Sequence, residues 1–109
     1  MNTQFKKGVL ELIVLLAANK KDIYGYELVM EVSKVVDVND GTIYPLLKRL
    51  TNERYFETYL VDSNEGPARK YYKITVLGKQ RLEELKSIWK VFANSVNKFI
   101  KESIKNEQK

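Results

Sequence analysis

Apolar residues near the middle of the chain recur at the spacing of one helix face. They fall at i, i+3, i+4 and i+7, which predicts a half-buried helix with an inner face of Ile43, Leu46, Leu47 and Leu50. Asn39 precedes this stripe and can cap the helix, because its amide oxygen accepts from an otherwise unpaired backbone N–H. The opposite face carries hydroxyl, amide and cationic groups, on Thr42, Lys48, Arg49 and Asn52. Such groups suit base edges and phosphates, although an ordinary solvated helix face looks the same.

Two runs of β-branched and aromatic residues follow this helix. They cover residues 56–61 and 69–74, and the segment between them contains the turn formers Asn, Gly and Pro. We therefore predict a two-stranded hairpin, the wing, over about residues 56–74 with a long tip over 62–68. An isolated hairpin is marginally stable in water, so it must pack on the helices beside it. A helix leading into a packed hairpin is the order of a winged helix-turn-helix domain.

A dense apolar run near the N-terminus predicts a helix that is buried on most of its surface. The run covers Val9 to Ala17 and contains a single charge, Glu11. It is too short to span a bilayer, and no signal-peptide arrangement follows it, so we expect a cytoplasmic protein without membrane contact. Because a small domain offers little cover, we expect this helix to lie between the domain core and a partner's C-terminal helix.

The C-terminal third predicts one long helix, over about residues 76–105, with an apolar seam. Its large apolar residues alternate at spacings of three and four, and they are Leu82, Leu85, Trp89, Phe92, Val96 and Phe99. So long a helix cannot bury this stripe against so small a core, which predicts a homodimer. The fold is then mainly α with a small β-hairpin: a winged helix-turn-helix domain over 1–75 and a C-terminal dimerisation helix over 76–109.

Composition excludes several classes of protein. The 109 residues contain neither cysteine nor histidine, so thiol catalysis, disulfides, histidine acid–base chemistry and the usual zinc sites are excluded. No glycine-rich phosphate loop is present, and we expect neither an enzyme nor a bound cofactor or metal. The net charge of +5 suits a polyanionic partner. Most of the basic excess lies in the C-terminal helix, so the charge alone does not identify the central helix as the binding surface.

Three sequence blocks occur in order along the chain: Tyr24–Leu28, Gly41–Leu50, and Gly66–Thr75 followed by Gly78. Together they resemble the PadR-like family of transcriptional regulators. The resemblance runs from about Gly8 to the end of the last helix, and the length suits the subgroup with a single C-terminal helix. One departure is Arg54, which stands where the family usually has Gly after the recognition helix. A non-Gly residue in the left-handed conformation there costs roughly 1 kcal/mol, so we expect either strain at Arg54 or a different helix end.

The resemblance implies that the central helix is a DNA-recognition helix and that the wing lies beside it on double-stranded DNA. We expect Thr42, Lys48 and Arg49 to make the principal contacts. Asn39 is expected to cap the helix more than to read a base. The ring of Tyr44 is expected to pack while its hydroxyl reaches a phosphate.

Further contacts are expected around this helix. Pro45 removes a helical hydrogen bond, which favours a local distortion that advances the helix N-terminus. Of Tyr24 and Tyr26 at the start of the second helix, one should lie in the core and the other should touch the DNA backbone. Arg69 and Lys70 of the wing are expected to reach a neighbouring groove or phosphate.

Trp89 has two interpretations. It is either an aromatic residue packed in the dimer seam or, by resemblance to drug- and phenolic-acid-responsive family members, a ring that stacks on a small aromatic effector between the protomers.

The function expected from these features is a sequence-specific repressor that binds a pseudo-palindromic operator as a homodimer. Repression follows from the resemblance alone. Two-fold symmetry predicts half-sites about 10 base pairs, or a multiple, apart. The alternative is a dimeric winged-helix module that binds a protein partner without specific DNA binding. RNA binding is not expected, because the sequence shows no exposed aromatic sheet that would stack splayed bases.

Overall fold

The computed structural model describes the backbone of residues 3–107 and the side chains of residues 8–107. Within that part of the chain there are four helices and three strands. They are α1 (Thr3–Lys20), β1 (Ile23–Tyr24), α2 (Gly25–Ser33), α3 (Asp40–Asn52), β2 (Phe56–Ser63), β3 (Gly66–Ile74) and α4 (Val76–Glu107). This order confirms the predicted fold, a winged helix-turn-helix domain followed by a long C-terminal helix.

The core lies where α1, α2, α3 and the sheet meet. Ile43, Leu47 and Leu50 are fully buried on α3, so most of the predicted inner face is confirmed, while Leu46 at its edge is only partly buried. The apolar run of α1 is mostly covered by its own chain, since its residues from Leu10 to Ala18 are largely buried. The expectation that this run needs cover from a partner's helix is therefore wrong for most of its residues, which the chain itself covers.

The sheet has three antiparallel strands in the order β1-β3-β2, one more than the predicted hairpin. Strand β1 has two residues, of which Ile23 is paired with Tyr72 and Tyr24 with Tyr71. Two residues are too few to produce a recognisable alternation, so the sequence pattern could not reveal this strand.

The tip of the wing is shorter than predicted. Pairing of β2 with β3 continues to Ser63 and Gly66, with an irregular register between Val61 and Ser63, and only two residues form the turn. Gly and Pro suggested a loop over 66–68, but Pro67 is the second residue of β3. Proline is tolerated near the start of a strand because its missing N–H is not needed there.

Helix α3 ends on Arg54, whose φ of 68° lies in the left-handed region. The Arg54 N–H donates to the Thr51 carbonyl at 3.0 Å, and the Tyr55 N–H donates to the Leu50 carbonyl at 2.9 Å. These two bonds form the Schellman arrangement that usually carries glycine at this position. Arg54 therefore adopts the left-handed conformation that glycine usually takes at this position. The helix ends as it would with glycine there, and the backbone of Arg54 is strained.

The first turn of α4 packs closely on the turn that follows α3. The Thr75 hydroxyl accepts from the Gly78 N–H at 2.9 Å and donates to the Arg54 carbonyl at 2.7 Å. A Cβ at Gly78 would overlap the Tyr55 carbonyl oxygen and would lie 2.7 Å from Ile74 Cγ1. Glycine at this position allows the contact that sets the direction of α4.

Only the start of α4 belongs to the core of its own chain. Leu82 is buried and Leu85 is partly buried against the core. The helix has 32 residues, or about 48 Å at 1.5 Å per residue, and it extends beyond the domain. Its other large apolar residues are exposed, namely Ile88, Trp89, Val91, Phe92, Val96, Phe99, Ile100 and Ile104. The predicted seam is therefore divided. Leu82 packs in the core of its own chain, whereas the seam residues from Trp89 to Phe99 are exposed. Within residues 3–107, no helix is long and apolar enough to cross a membrane.

Candidate nucleic-acid interface

Asn39 caps α3, as the sequence predicted. Its backbone is extended, with φ −123° and ψ 171°, and its Oδ1 accepts from the Thr42 N–H at 3.1 Å. The Thr42 hydroxyl lies 3.3 Å from the same oxygen and donates to it. The cap satisfies one of the free N–H groups at the helix start and fixes the position of the exposed Thr42 side chain.

The outward face of α3 presents Thr42, Tyr44, Pro45 and Lys48 to solvent. The helix continues through Pro45 from Asp40 to Asn52. These exposed residues occupy the first two-thirds of α3, and the inner face of the same turns is buried. The helix is therefore held firmly on one side and is open on the other.

Arg49 has partners that the sequence did not suggest. Its Nη2 donates to Glu11 of α1 at 3.3 Å, and its Nη1 donates to Glu53 at 3.0 Å. Its side chain is 46% exposed, compared with 11% for Glu11. Desolvation lowers the pKa of Arg49, but the hydrogen bonds that it donates to Glu53 and Glu11 outweigh this effect and raise the pKa above its ordinary value. Glu11 stands out in the sequence as the single charge in the α1 run, but nothing in the sequence identifies Arg49 as its partner.

The ring of Tyr44 lies against the start of α2. A Cβ on Gly25 would be 3.0 Å from Tyr44 Cε1, so glycine at this position leaves room for the ring. Partial burial, and then the charge of Asp40, raise the pKa of Tyr44. The shift strengthens the preference of its hydroxyl for the neutral form, which can donate a hydrogen bond.

Neither tyrosine at the start of α2 lies in the core, so that part of the sequence prediction is wrong. Tyr24 is partly buried and Tyr26 is exposed, with their ring centroids 6.3 Å apart. Tyr24 also packs against Tyr71 at 5.8 Å and lies under the Arg69 guanidinium, whose Cζ is 4.9 Å from the ring centroid. Strand β1 places Tyr24 on the sheet, which explains why it is not inside.

A groove of about 540 Å³ separates the start of α2 from the wing. It brings together four of the predicted contact residues, Tyr24, Tyr44, Arg69 and Lys70. A second recess, of about 280 Å³, lies between α1 and α3 and is lined by Thr42, Pro45 and Arg49 together with Leu10 and Leu46. The predicted residues thus form two groups on either side of α3, and Lys48 lies on the exposed face of the helix.

The outer face of the sheet carries a row of tyrosines that the sequence interpretation did not anticipate. Tyr24, Tyr71 and Tyr59 lie side by side across the three strands, opposite the buried face that contains Tyr72. The rings of Tyr59 and Tyr71 stack at 5.6 Å with 13° between their planes, and Tyr59 donates to Asp22 at 2.7 Å. Stacking against each other covers one face of each of these two rings.

An apolar groove of about 250 Å³ lies between α1 and α4. Trp89 and Phe92 line it, with ring centroids 6.3 Å apart. The other lining residues are Gly8, Val9, Leu12, Leu85 and Ile88. The groove joins the exposed part of α4 to the N-terminal half of α1, a proximity that the seam pattern alone did not show.

The sequence also matches a known family. A model of the transcriptional regulator PadR-like family covers residues 13–84, more than half of the chain. The chain belongs to the PadR-like family. The fold of this PadR-like protein, with its capped and exposed α3 beside a wing, is that of a DNA-binding transcriptional regulator.

Solved structures agree with this assignment. A PadR-like transcriptional regulator from Bacillus cereus is 41% identical and covers 90% of this chain and 97% of its own, with a TM-score of 0.81. A PadR-like transcription factor from Bacteroides fragilis is 38% identical over 87% of this chain and 93% of its own, with a TM-score of 0.75. An uncharacterized protein from Lysinibacillus sphaericus is 38% identical over 76% of this chain and 80% of its own.

Proposed function

We propose that this PadR-like protein is a sequence-specific repressor that binds a pseudo-palindromic DNA operator as a homodimer. The observation that carries the proposal is the capped, exposed face of α3 beside the groove between α2 and the wing. One surface therefore offers a helix for the major groove and donors for the flanking phosphates. Repression is inferred from the family resemblance.

The residues on this surface have distinct proposed roles. Thr42 and Lys48 face outward and are positioned to meet base edges, with Pro45 adding apolar surface between them. Tyr24 and Tyr44 would donate their hydroxyls to phosphate oxygens beside the α2 N-terminus. Asn39 holds the helix start in the cap.

The two cations of the wing would approach the backbone from the other side of the groove. The Arg69 guanidinium rests on Tyr24, and the Lys70 ammonium lies 5.9 Å from the Tyr72 ring centroid. Both rings hold a flexible side chain near the groove, which reduces the entropy that DNA binding would cost. Glu65 also lines this groove, so we expect a few specific phosphate contacts there instead of a broad cationic surface.

The exposed apolar face of α4 is the proposed dimer interface. Leu85, Trp89, Phe92, Val96 and Phe99 follow one stripe along it, and Phe99 is 72% exposed in the single chain. Contiguous apolar surface of this kind marks an interaction site on a protein in water. A two-fold axis through paired α4 helices would present two α3 helices to successive half-sites.

The groove lined by Trp89 is the proposed site for a small aromatic effector. An effector could release the operator only if it binds one arrangement of the two α4 helices more tightly than the other. Quenching of Trp89, the one tryptophan in the chain, would report binding. A Trp89→Phe dimer that kept the full effector response would contradict a stacking role.

Selection from a random duplex library tests the DNA-binding proposal. The wild-type protein should enrich a pseudo-palindrome at near-physiological salt, and a Thr42→Ala/Lys48→Ala variant should lose it. Lys90→Ala is the matched control, because Lys90 is also an exposed lysine but lies on α4. Enrichment should survive this change. A well-folded dimer that enriches nothing and shows no salt-dependent DNA affinity would contradict the proposal.

A further inference from the structure

Glu11 is a charged residue in the otherwise apolar middle of α1, and it is 9% exposed. Each of its carboxylate oxygens accepts from a different arginine. Oε1 accepts from Arg81 Nε at 3.0 Å, and Oε2 accepts from Arg49 Nη2 at 3.3 Å. One carboxylate on α1 therefore bridges α3 and α4.

Each arginine has a second carboxylate partner close to it in the sequence. Arg49 donates to Glu53 at 3.0 Å, and Arg81 donates to Glu84 at 3.4 Å. These outer contacts orient each guanidinium towards Glu11, because they occupy a second nitrogen of the same planar group. The hydrogen bond to Glu11 raises the pKa of Arg81 above its ordinary value, and that group stays charged.

The bridge lies beside incomplete packing between α1 and α3. The recess of about 280 Å³ described above has Arg49 in its wall, together with the partly buried Leu46. Apolar packing at this point does not hold α3 closely against α1. The Arg49–Glu11 ion pair spans α3 and α1 beside this recess and is placed to resist rotation of this side of α3.

These ion pairs are only partly buried, since the side chains of Arg49 and Arg81 are 46% and 31% exposed, so solvent screening and desolvation leave them a small net contribution to folding. The ion pairs have a clearer effect on geometry, because they link α1 to both α3 and α4. Without the Glu11 carboxylate, Arg49 keeps Glu53 and Arg81 keeps Glu84, but α3 and α4 lose the group that links them through α1.

We propose that Glu11 is a positioning residue that fixes each recognition helix α3 relative to α4. The inference rests on the proposed function, in which paired α4 helices set the separation of the two α3 helices on the operator. Glu11 touches no DNA in this scheme. It determines instead how strictly the dimer distinguishes one half-site spacing from another.

Glu11→Gln tests this role, because glutamine keeps the shape of the side chain and removes its charge. Affinity is measured for the selected operator, for operators with one base pair inserted or removed between half-sites, and for an isolated half-site. The wild-type dimer should prefer the selected spacing by about tenfold or more, as expected of a coupling between two sites. Glu11→Gln should reduce that preference to about threefold or less while half-site affinity stays within about twofold of wild type.

Two further variants separate positioning from general damage. Glu83→Gln is the matched control, because it removes the charge of a neighbouring α4 glutamate that pairs with Lys86 at 3.3 Å and has a side chain 70% exposed. It should keep the wild-type spacing preference. Arg81→Gln breaks the same bridge from α4 and should reproduce the effect of Glu11→Gln, which keeps the test valid if Glu11→Gln does not fold.

The outcomes are distinguishable. An unchanged spacing preference in both bridge variants overturns the positioning role and leaves the proposed function intact. Equal weakening on every operator and on the half-site shows a structural role only, and also overturns it. If the folded wild-type dimer selects no operator, the proposed function fails and this inference fails with it.

Discussion

The two ends of α4 carry the same kind of apolar residue in very different surroundings. Leu82 is 2% exposed and belongs to the domain core, whereas Phe99, on the same stripe, is 72% exposed. The first part of the helix is covered by its own chain and the rest lies beyond it. A regular apolar spacing identifies which helix face is covered but does not identify which chain covers it.

The largest difference between the two regions should appear when large side chains are truncated. Leu47→Ala, in the fully buried part of α3, should lower the free energy of unfolding by about 2–5 kcal/mol, because it leaves a cavity. Phe99→Ala should leave monomer stability nearly unchanged and should raise the dimer dissociation constant. Denaturant unfolding at several protein concentrations, with analytical ultracentrifugation, measures both effects.

A Phe99→Ala protein with an unaltered dimer dissociation constant would contradict this prediction. In that case the exposed end of α4 is not part of the dimer interface. A concentration-independent midpoint of unfolding for the wild type would point the same way.

The second prediction concerns Gly78, which joins the two regions. Gly78→Ala should cost about 1–3 kcal/mol, because the added methyl group would displace the Tyr55 carbonyl and with it the first turn of α4. Gly66→Ala is the control, since nothing lies within 4 Å of a Cβ at that position. Thermal unfolding compares the two. Equal stability of both variants would show that α4 can start elsewhere without cost.

The sequence could predict features that depend on neighbouring residues. The inner face of α3, its Asn39 cap and the two strands of the wing all follow from local spacing or side-chain chemistry. The same reasoning identified Arg54 as an unusual residue at the helix end. Each of these features leaves a pattern in the sequence over a few neighbouring positions, even where the contacts that complete it are more distant.

Features that depend on distant residues were not predictable in the same way. The partners of β1 lie almost fifty positions further along, and Glu11 meets arginines 38 and 70 positions away. Arg49 on the outer part of α3 looked free for DNA because no local pattern reveals such a partner. The division of the α4 seam at Leu85 likewise depends on where the core ends in space.

A third prediction uses the strain at Arg54, at the edge of the packed region. Arg54→Gly should raise the free energy of unfolding by roughly 1 kcal/mol, because glycine adopts the left-handed conformation without steric cost. Arg54→Ala removes the same side chain but keeps a Cβ, so it should remain within about 0.5 kcal/mol of wild type. Equal stabilisation by both variants would assign the effect to the arginine side chain instead of the backbone.

The smallest effect expected is a pH dependence confined to the winged-helix domain, where the pKa values of Tyr44, Tyr59 and Tyr72 are raised. Burial raises the pKa of Tyr72 above its ordinary value of 10.0, and residues 76–107 contain no tyrosine. The folded state then holds this proton more tightly than the unfolded state. The stabilising contribution is complete below pH 10 and is lost as the pH rises through the folded-state pKa.

Unfolding at several pH values between about 9 and 11 tests this difference, with tyrosine ionisation followed by ultraviolet absorbance. Tyr72→Phe should lose less stability across that range than wild type, because phenylalanine has no proton to release. Phe99→Ala should lose as much as wild type, since the exposed end of α4 contributes no tyrosine. A Tyr72→Phe protein with the wild-type pH dependence would place the alkaline sensitivity outside the core, in groups on the exposed surface.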